Sequence, residues 1–142
     1  MTGLSCRGKV ILLGLACLLP LSFACSESVT GEALSGTVTL NGEPLEEGQI
    51  LFTPLQAGQA ANAEIKAGRY EIPENRGPTP GKYRVEIRAY EDTGQTERDE
   101  VTGSAEPILK PIVPPRYNRD SELEAEVVEG GENTFDFELQ SG

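Results

Sequence analysis

Residues 36–53, GTVTLNGEPLEEGQILFT, carry the pattern that decides the fold class of this 142-residue chain. Val38 and Leu40 alternate with two threonines, and Ile50 and Phe52 repeat the same two-residue spacing farther along. Such spacing places one row of side chains on the buried face of a β-strand and the other row on the exposed face. Between the two segments, Asn41-Gly42 is typical of a tight reversal, because both residue types tolerate positive φ. The stretch therefore predicts two β-strands with a turn between them.

The same alternation recurs in five later segments, and no segment after residue 24 shows the period of a helix. Strands that expose one face need a second sheet to cover the other face. We therefore predict an all-β fold, a seven-stranded antiparallel β-sandwich, with strands at residues 36–40, 49–53, 61–66, 70–72, 82–89, 122–127 and 134–139. The inward-facing aromatic residues expected in its core are Phe52, Tyr70, Tyr83, Phe135 and Phe137.

Residues 91–120 depart from this alternation. Their first half is charged, and their second half contains four prolines, which exclude a central strand but allow an extended cover along a sheet edge. We predict a mobile first half and a docked second half. A partner-binding loop is the functional alternative, because loops on a rigid scaffold often carry binding residues. The side chains expected to be partly buried are those of Ile108, Leu109, Ile112 and Val113.

Two outward rows of opposite charge occur on separate predicted strands. The basic row lies within residues 82–88 and the acidic row within residues 122–126. If these strands are neighbours, the rows would pair across the sheet at ~0.2–1 kcal/mol per pair. This adjacency is a hypothesis, since alternation alone does not give the strand order. The rows consist of Lys82, Arg84 and Arg88 and of Glu122, Glu124 and Glu126.

Residues 1–24 have the organisation of a secretory signal peptide. Arg7 and Lys9 lie in a short basic start, an apolar run of ten residues follows at 10–19, and Ala24 is a small residue at the end. A membrane-spanning helix needs about 20 apolar residues, whereas Pro20 follows this run after ten. We predict that residues 1–24 are a cleaved signal peptide.

Cleavage after Ala24 would leave Cys25 as the first residue of the mature chain and its only cysteine, since Cys6 and Cys17 lie in the presequence. A single exported cysteine cannot form an internal disulfide. The position of Cys25 resembles the bacterial lipobox, although Ser22 stands where that motif favours leucine. The resemblance implies acylation of Cys25. Residues 25–33 would then be a tether reaching roughly 30 Å, and residues 34–142 the domain. Ordinary secretion after the same cut is the alternative.

The composition narrows the possible functions. The chain has 12 Lys and Arg, 23 Asp and Glu, a net charge of −11 and no histidine. Nucleic-acid binding needs a basic surface, which an acidic chain does not offer. Without histidine the chain lacks the commonest general base, the commonest zinc ligand and every Ser-His or Cys-His pair. The acidic residues of 91–100 do not have the spacing of an EF-hand loop. We expect no nucleic-acid partner, no metal, no cofactor and no catalytic residue.

Several short motifs, in this order and spacing, resemble carboxypeptidase-regulatory-like domains. Residues 36–45, GTVTLNGEPL, followed by 48–52, GQILF, are similar to the opening hairpin of that family. Residues 67–72, AGRYEI, resemble its Gly-x-Tyr strand start, and residues 80–87, PGKYRVEI, its Pro-Gly-x-Tyr-x-Val element. Residues 114–118, PPRYN, and 133–139, NTFDFEL, are similar to the close of small bacterial lipoproteins built on this domain. The resemblance implies a transthyretin-like or Ig-like sandwich without catalytic activity.

Together these features predict an exported, lipid-anchored, non-catalytic accessory, interaction or structural module of the bacterial cell envelope. Lipidated Cys25 would hold it at the cell membrane or outer membrane, facing the periplasm or the exterior, with an envelope protein or polysaccharide as partner. The alternative is a glycan-binding or small-ligand-binding protein. Tyr90 and Tyr117 would form the rim of such a site, because they are the tyrosines outside the core alternation and both border residues 91–120.

Overall fold

The computed structural model describes residues 31–142, which form an all-β fold with two short 3-10 helices. This confirms the predicted fold class. All seven predicted strands are present, and three further strands, at Glu43–Pro44, Tyr90–Arg98 and Ala105–Pro111, were not predicted. The strands are β1 (Leu34–Leu40), β2 (Glu43–Pro44), β3 (Glu47–Pro54), β4 (Ala61–Lys66), β5 (Arg69–Ile72), β6 (Gly81–Arg88), β7 (Tyr90–Arg98), β8 (Ala105–Pro111), β9 (Glu124–Val127) and β10 (Phe137–Leu139), and the 3-10 helices are Glu74–Arg76 and Pro115–Tyr117.

The main sheet is curled and sandwich-like, with the strand order β10-β1-β5-β4-β3-β6-β9 and with β2 attached to β1. Its pairs are antiparallel except β1–β10, which is parallel, with Val38 opposite Phe137. Gly130-Gly131 is a residue pair that predicts a hairpin turn between the last two strands. That prediction was wrong, because β9 and β10 lie at opposite ends of the strand order. A turn motif predicts that the chain changes direction, but tertiary packing determines which strand the next strand pairs with.

Two tight turns use the left-handed backbone conformation. Asn41 and Gly42, with φ of 56° and 85°, connect β1 to β2 as their sequence predicts. Ala67 and Gly68, with φ of 48° and 73°, connect β4 to β5. At Gly68 a Cβ atom would also lie 2.6 Å from the Cβ of Pro44, so this turn has both a conformational and a steric requirement for glycine.

The core lies on the inner face of the main sheet. Four of the five aromatic residues predicted there are buried, and Phe135 is half-buried against the same cluster. The Phe52 ring centroid is 6.0 Å from that of Tyr70 and 6.4 Å from that of Phe135. Gly36 lets the last segment approach β1, because a Cβ atom there would lie 1.9 Å from the carbonyl oxygen of Phe135.

The predicted charge rows do lie on neighbouring strands. In the β6–β9 pair, Lys82 is opposite Glu126 and Arg84 is opposite Glu124, which confirms the adjacency hypothesis. The ion pairs that Arg84 and Arg88 form nevertheless run along β6. Arg84 and Arg88 each place a guanidinium nitrogen 2.9 Å from the carboxylate of Glu86, a residue that is only 6% exposed.

The second sheet corrects the interpretation of residues 91–120. β7 and β8 pair as an antiparallel hairpin, and every residue of both strands is exposed. Ile108 and Leu109 are 38% and 53% exposed, so the prediction that they are partly buried against the core was wrong. The prediction was right for Val113, which is buried, and for Ile112, which packs partly against the core. A hairpin with solvent on both faces needs no alternation of apolar and polar residues, which is why the pattern missed it.

Candidate functional site

The proposed lipidation residue Cys25 lies outside the described residues, as do the predicted signal peptide and most of the predicted tether. β1 begins at Leu34, where the predicted domain begins. Within residues 31–142, no helix has the length and apolar character needed to cross a membrane. The surface features that the structure can place are therefore those of the domain.

Tyr90 lies at the start of β7, opposite Pro111 of β8, and is 54% exposed. It borders an open cleft of about 650 Å³, which we call the Tyr90 cleft. Its walls come from the end of β6, the base of the β7–β8 hairpin, the chain around the second 3-10 helix and the end of the chain. The residues that line the cleft are Arg88, Tyr90, Pro111, Val113, Pro114, Pro115, Asn118, Arg119 and Ser141.

The wall of the Tyr90 cleft is stiffened by its local sequence. Pro114 and Pro115 fix two φ angles, and Pro115 begins the 3-10 helix. The side-chain amide of Asn118 donates hydrogen bonds to the backbone carbonyls of Val113 and Pro114 at 3.2 and 3.3 Å. Ser121 then donates its hydroxyl to the carbonyl of Val85 on β6, which ties the segment to the main sheet. A ligand would therefore meet a largely preformed surface.

The charge of the Tyr90 cleft differs from the charge of the whole chain. Arg88 and Arg119 line it, and no acidic residue does, although the chain carries a net charge of −11. Arg88 is held by Glu86, and its side chain remains half exposed. Arg119 is mostly exposed and is 3.4 Å from Asp120. Exposed pairs of this kind are weak and screened by solvent, so the Arg119 guanidinium remains available to a ligand.

Tyr117 is not among the residues that line the cleft. Its ring packs partly against the core, and the Arg116 guanidinium carbon lies 4.9 Å from the ring centroid. Its hydroxyl accepts the backbone N–H of Gln140 at 3.3 Å. The neighbouring Arg116 guanidinium, together with the hydrogen bond from Gln140, lowers the pKa of Tyr117. The structure therefore places the two predicted rim tyrosines in different settings, and a ligand role for either of them stays a prediction.

The β7–β8 hairpin with its turn, which we call the hairpin arm, is the other distinctive surface. Its two edges differ. Thr93 donates its hydroxyl to the carbonyl of Ile108 at 2.8 Å, so the even-numbered positions of β8 face β7. Pro107 and Pro111 therefore lie at outward-facing positions of β8, where they remove backbone donors. The outer edge of β8 is closed to strand addition, whereas β7 contains no proline.

A bulge and a structured turn interrupt the arm. The register shifts between Asp92 and Thr96, and Gly94 has a φ of 72°. At the tip, the Asp99 carboxylate accepts the backbone N–H groups of Thr102 and Val101, which lower its pKa. Across the described residues, no group of three or more Asp, Glu, His or Cys side chains is placed to hold a metal ion.

A larger cleft of about 900 Å³ lies over the outer face of β1, β4 and β5. Its lining has three acidic and three basic residues, and half of these six charged groups are paired or hydrogen-bonded within the protein. Glu64 lies 2.7 Å from Lys66, and Asp136 accepts both the hydroxyl and the backbone N–H of Thr37. We therefore favour the smaller Tyr90 cleft, because its charge is not cancelled along its own lining. Its arginines were missed in the sequence, where Arg88 was read only as part of an outward row.

Comparison of the chain with protein-family models, curated proteins and solved structures finds no match. A functional proposal for this chain therefore rests on its own residues, charges and surfaces.

Proposed function

We propose that this chain is an exported, non-catalytic binding module of the bacterial cell envelope, anchored by lipid at Cys25 and built on a carboxypeptidase-regulatory-like domain. The observation that carries the proposal is the hairpin arm, in which every strand residue is exposed. Two-stranded hairpins alone are marginally stable in water. An arm that leaves both faces and the β7 edge to solvent is therefore best explained as a surface for a partner.

The partner we propose is an envelope protein that adds an extended segment to the outer edge of β7. Backbone hydrogen bonds along an open edge give affinity to this mode of recognition, and side chains give specificity. Residues 90–111 contain six acidic and two basic residues. A basic segment would therefore complement the arm. The outer edge of β8 cannot bind such a segment in the same way, because Pro107 and Pro111 face outward there and lack backbone donors.

The membrane anchor is supported by the sequence alone. The order of a basic start, an apolar run and small residues precedes Cys25, which is the only cysteine after the proposed cut. Acyl chains contribute about 0.8 kcal/mol per buried CH₂, and two or more chains give stable attachment. The tether of residues 25–33 would keep the arm within roughly 30 Å of the bilayer surface.

A glycan-binding role is the second candidate, and the Tyr90 cleft favours it. Tyr90 offers an exposed aromatic ring beside rigid proline residues and two arginines. Aromatic side chains with a few well-placed polar groups are typical of small-ligand sites. This candidate uses a different surface from the β7 edge, so the two can be tested separately.

The anchor is tested by intact mass and fractionation. Protein extracted from membranes should carry a diacylglyceryl group and an added acyl chain at Cys25. The Cys25→Ala variant should remain as precursor or appear as soluble product. Soluble wild-type protein with an unmodified Cys25 would overturn the anchor and leave ordinary secretion.

The arm is tested by photo-crosslinking in intact cells. A photoreactive residue at Thr96 or Leu109 should give one defined adduct with an envelope protein, whereas the same residue at exposed Glu71 on β5 should not. A photoreactive residue at Glu91 should also form this adduct in the wild-type background. Replacing residues 92–109 by Asn-Gly should abolish that adduct. Equal adducts from arm and control positions, or no adduct from the arm, would contradict the proposal.

A further inference from the structure

We infer that the Tyr90 cleft binds a carboxylate-bearing saccharide chain, an anionic polysaccharide of the uronic-acid type. The inference rests on the proposed binding function and names the ligand class of its second surface. Three features of the cleft carry it: the local excess of positive charge, the exposed aromatic ring, and a wall that lacks backbone donors.

Part of the positive charge of the cleft comes from β6. Arg84 and Arg88 share a single carboxylate, that of Glu86, at 2.9 Å each. The three groups together carry one net positive charge, and the half-exposed Arg88 lines this cleft, although it also borders a neighbouring cleft lined by Glu47, Glu64 and Asp92. Arg119, which is 3.4 Å from Asp120, adds a second guanidinium to the lining of the cleft. In a chain of net charge −11, an anion is repelled from most of the surface, so this excess of positive charge selects where it can bind.

Guanidinium groups also favour carboxylates geometrically. The planar fork of arginine can donate two parallel hydrogen bonds to one carboxylate. Glu86 already fixes one nitrogen of Arg88, which orients the rest of the guanidinium at little further entropic cost. The exposed face of Arg88 is thus preorganised toward an anion.

The wall of the cleft distinguishes a saccharide from a peptide. A peptide that binds as an extended strand needs backbone donors and acceptors along its path. Pro111, Pro114 and Pro115 remove three donors from this wall. Tyr90 and the proline rings instead provide apolar surface for the C–H faces of sugar rings. The amide of Asn118 is occupied by carbonyls of the wall, so side-chain recognition falls to the arginines and the tyrosine hydroxyl.

The test uses full-length protein in detergent and two matched probes. One is an oligomer of polygalacturonate, and the other is the same oligomer with its carboxylates methyl-esterified. Calorimetric titration should show binding of the free acid that weakens with added salt, and a loss of at least tenfold in affinity for the ester. Equal affinity for both probes, or binding of neither, would overturn the inference.

Variants locate the site. Arg119→Gln and Tyr90→Ala should each weaken binding of the free acid by roughly tenfold. Arg69→Gln, which removes an arginine from the charge-balanced cleft over β1, β4 and β5, should leave it unchanged. The affinity of Arg88→Gln is interpreted together with its thermal unfolding curve, because this substitution also removes a partner of Glu86. An equal loss in Arg69→Gln would place the binding elsewhere.

An acidic peptide is the competing ligand. Poly-glutamate of matched charge should bind more weakly than the saccharide, since it gains nothing from Tyr90. If it binds as tightly and Tyr90→Ala has no effect, the cleft is a site for acidic protein segments and the saccharide inference is wrong. Saccharide binding can fail while the arm crosslinks persist, and the reverse also holds. The two outcomes therefore separate this inference from the proposed protein partner.

Discussion

The main sheet and the hairpin arm both consist mainly of short antiparallel β-pairs, yet their side chains differ in burial. In β6, the inward residues Tyr83, Val85 and Ile87 are almost completely buried. In β7, which follows after one residue, every position is exposed. The stability of the sheet therefore comes mainly from burial of apolar surface. The arm is held by backbone hydrogen bonds and weak cross-strand pairs, which leaves its surface available to a partner.

The largest test of this contrast compares two apolar truncations. Phe137→Ala removes a buried ring from β10 and should cost ~3–5 kcal/mol in the free energy of unfolding. Leu109→Ala removes a half-exposed side chain from the arm and should cost within about 0.5 kcal/mol. Chemical denaturation of both variants measures the difference. Equal losses would mean that the arm packs as part of the core.

Tyr70 provides a smaller test of the sheet. Burial, with a contribution from the charge of Asp136, raises the pKa of its hydroxyl, which donates to the carbonyl of Phe135 at 2.8 Å. Tyr70→Phe keeps the ring and removes the bond, so it should cost about 0.5–1.5 kcal/mol. Tyr90→Phe, in the exposed base of the arm, is the matched control and should be neutral in the same denaturation experiment. A neutral Tyr70→Phe would show that the Phe135 carbonyl finds another donor.

The same contrast explains what the sequence could predict. Residues of β1, β3, β6 and β9 alternate because each strand has one face against the core, and their existence was predicted correctly. The parallel pairing of Val38 with Phe137 was not, because it depends on where a long connection carries the last strand. The arm gives no alternation, since neither of its faces is buried.

The candidate site was only partly accessible from the sequence. Tyr90 was singled out because it lies outside the core alternation. Arg88 was not, although it precedes Tyr90 by two residues, because its position in the cleft depends on the chain near Asn118 folding back beside it. Tyr117 shares the sequence signal of Tyr90, yet its hydroxyl is engaged by Gln140. The local pattern identifies residues outside the strand alternation, whereas only the topology shows that Tyr117 packs partly against the core and that Tyr90 lines a cleft.

Acid titration gives a finer comparison between two exposed carboxylates. The hydroxyl and N–H of Thr37 lower the pKa of Asp136 below its ordinary value of 3.8, and this contact joins β1 to the segment before β10. A carboxylate with a depressed folded pKa stabilises the fold above its unfolded pKa, and that stability is lost as the pH falls through the folded pKa. Asp136→Asn should therefore be less stable than wild type at pH 7, and the difference should shrink below about pH 3.8.

Asp99 is the control for this titration. Its pKa is also lowered, by the N–H groups of Thr102 and Val101, but these contacts lie within the turn of the arm. Asp99→Asn should leave the pH dependence of global unfolding unchanged, because the arm contributes little to it. Denaturation midpoints at pH 7 and pH 3 measure both variants. A similar pH effect in the two would contradict the independence of the arm.

The largest change to the chain, replacement of most of the hairpin arm, should have the smallest effect on the free energy of unfolding. Glu91 and Lys110 are directly opposite in the β7–β8 pair, so replacing residues 92–109 by Asn-Gly closes the hairpin with a two-residue turn. The removed residues between the two strand ends bury little apolar surface, so the free energy of unfolding should change by less than about 0.5 kcal/mol. The denaturant m value should also hardly change, because it follows the surface newly exposed on unfolding. Chemical denaturation followed by far-UV circular dichroism checks both quantities. A loss above about 1 kcal/mol together with a lower m value would show that the arm folds cooperatively with the main sheet. Its exposure would then no longer argue for a surface kept free for a partner.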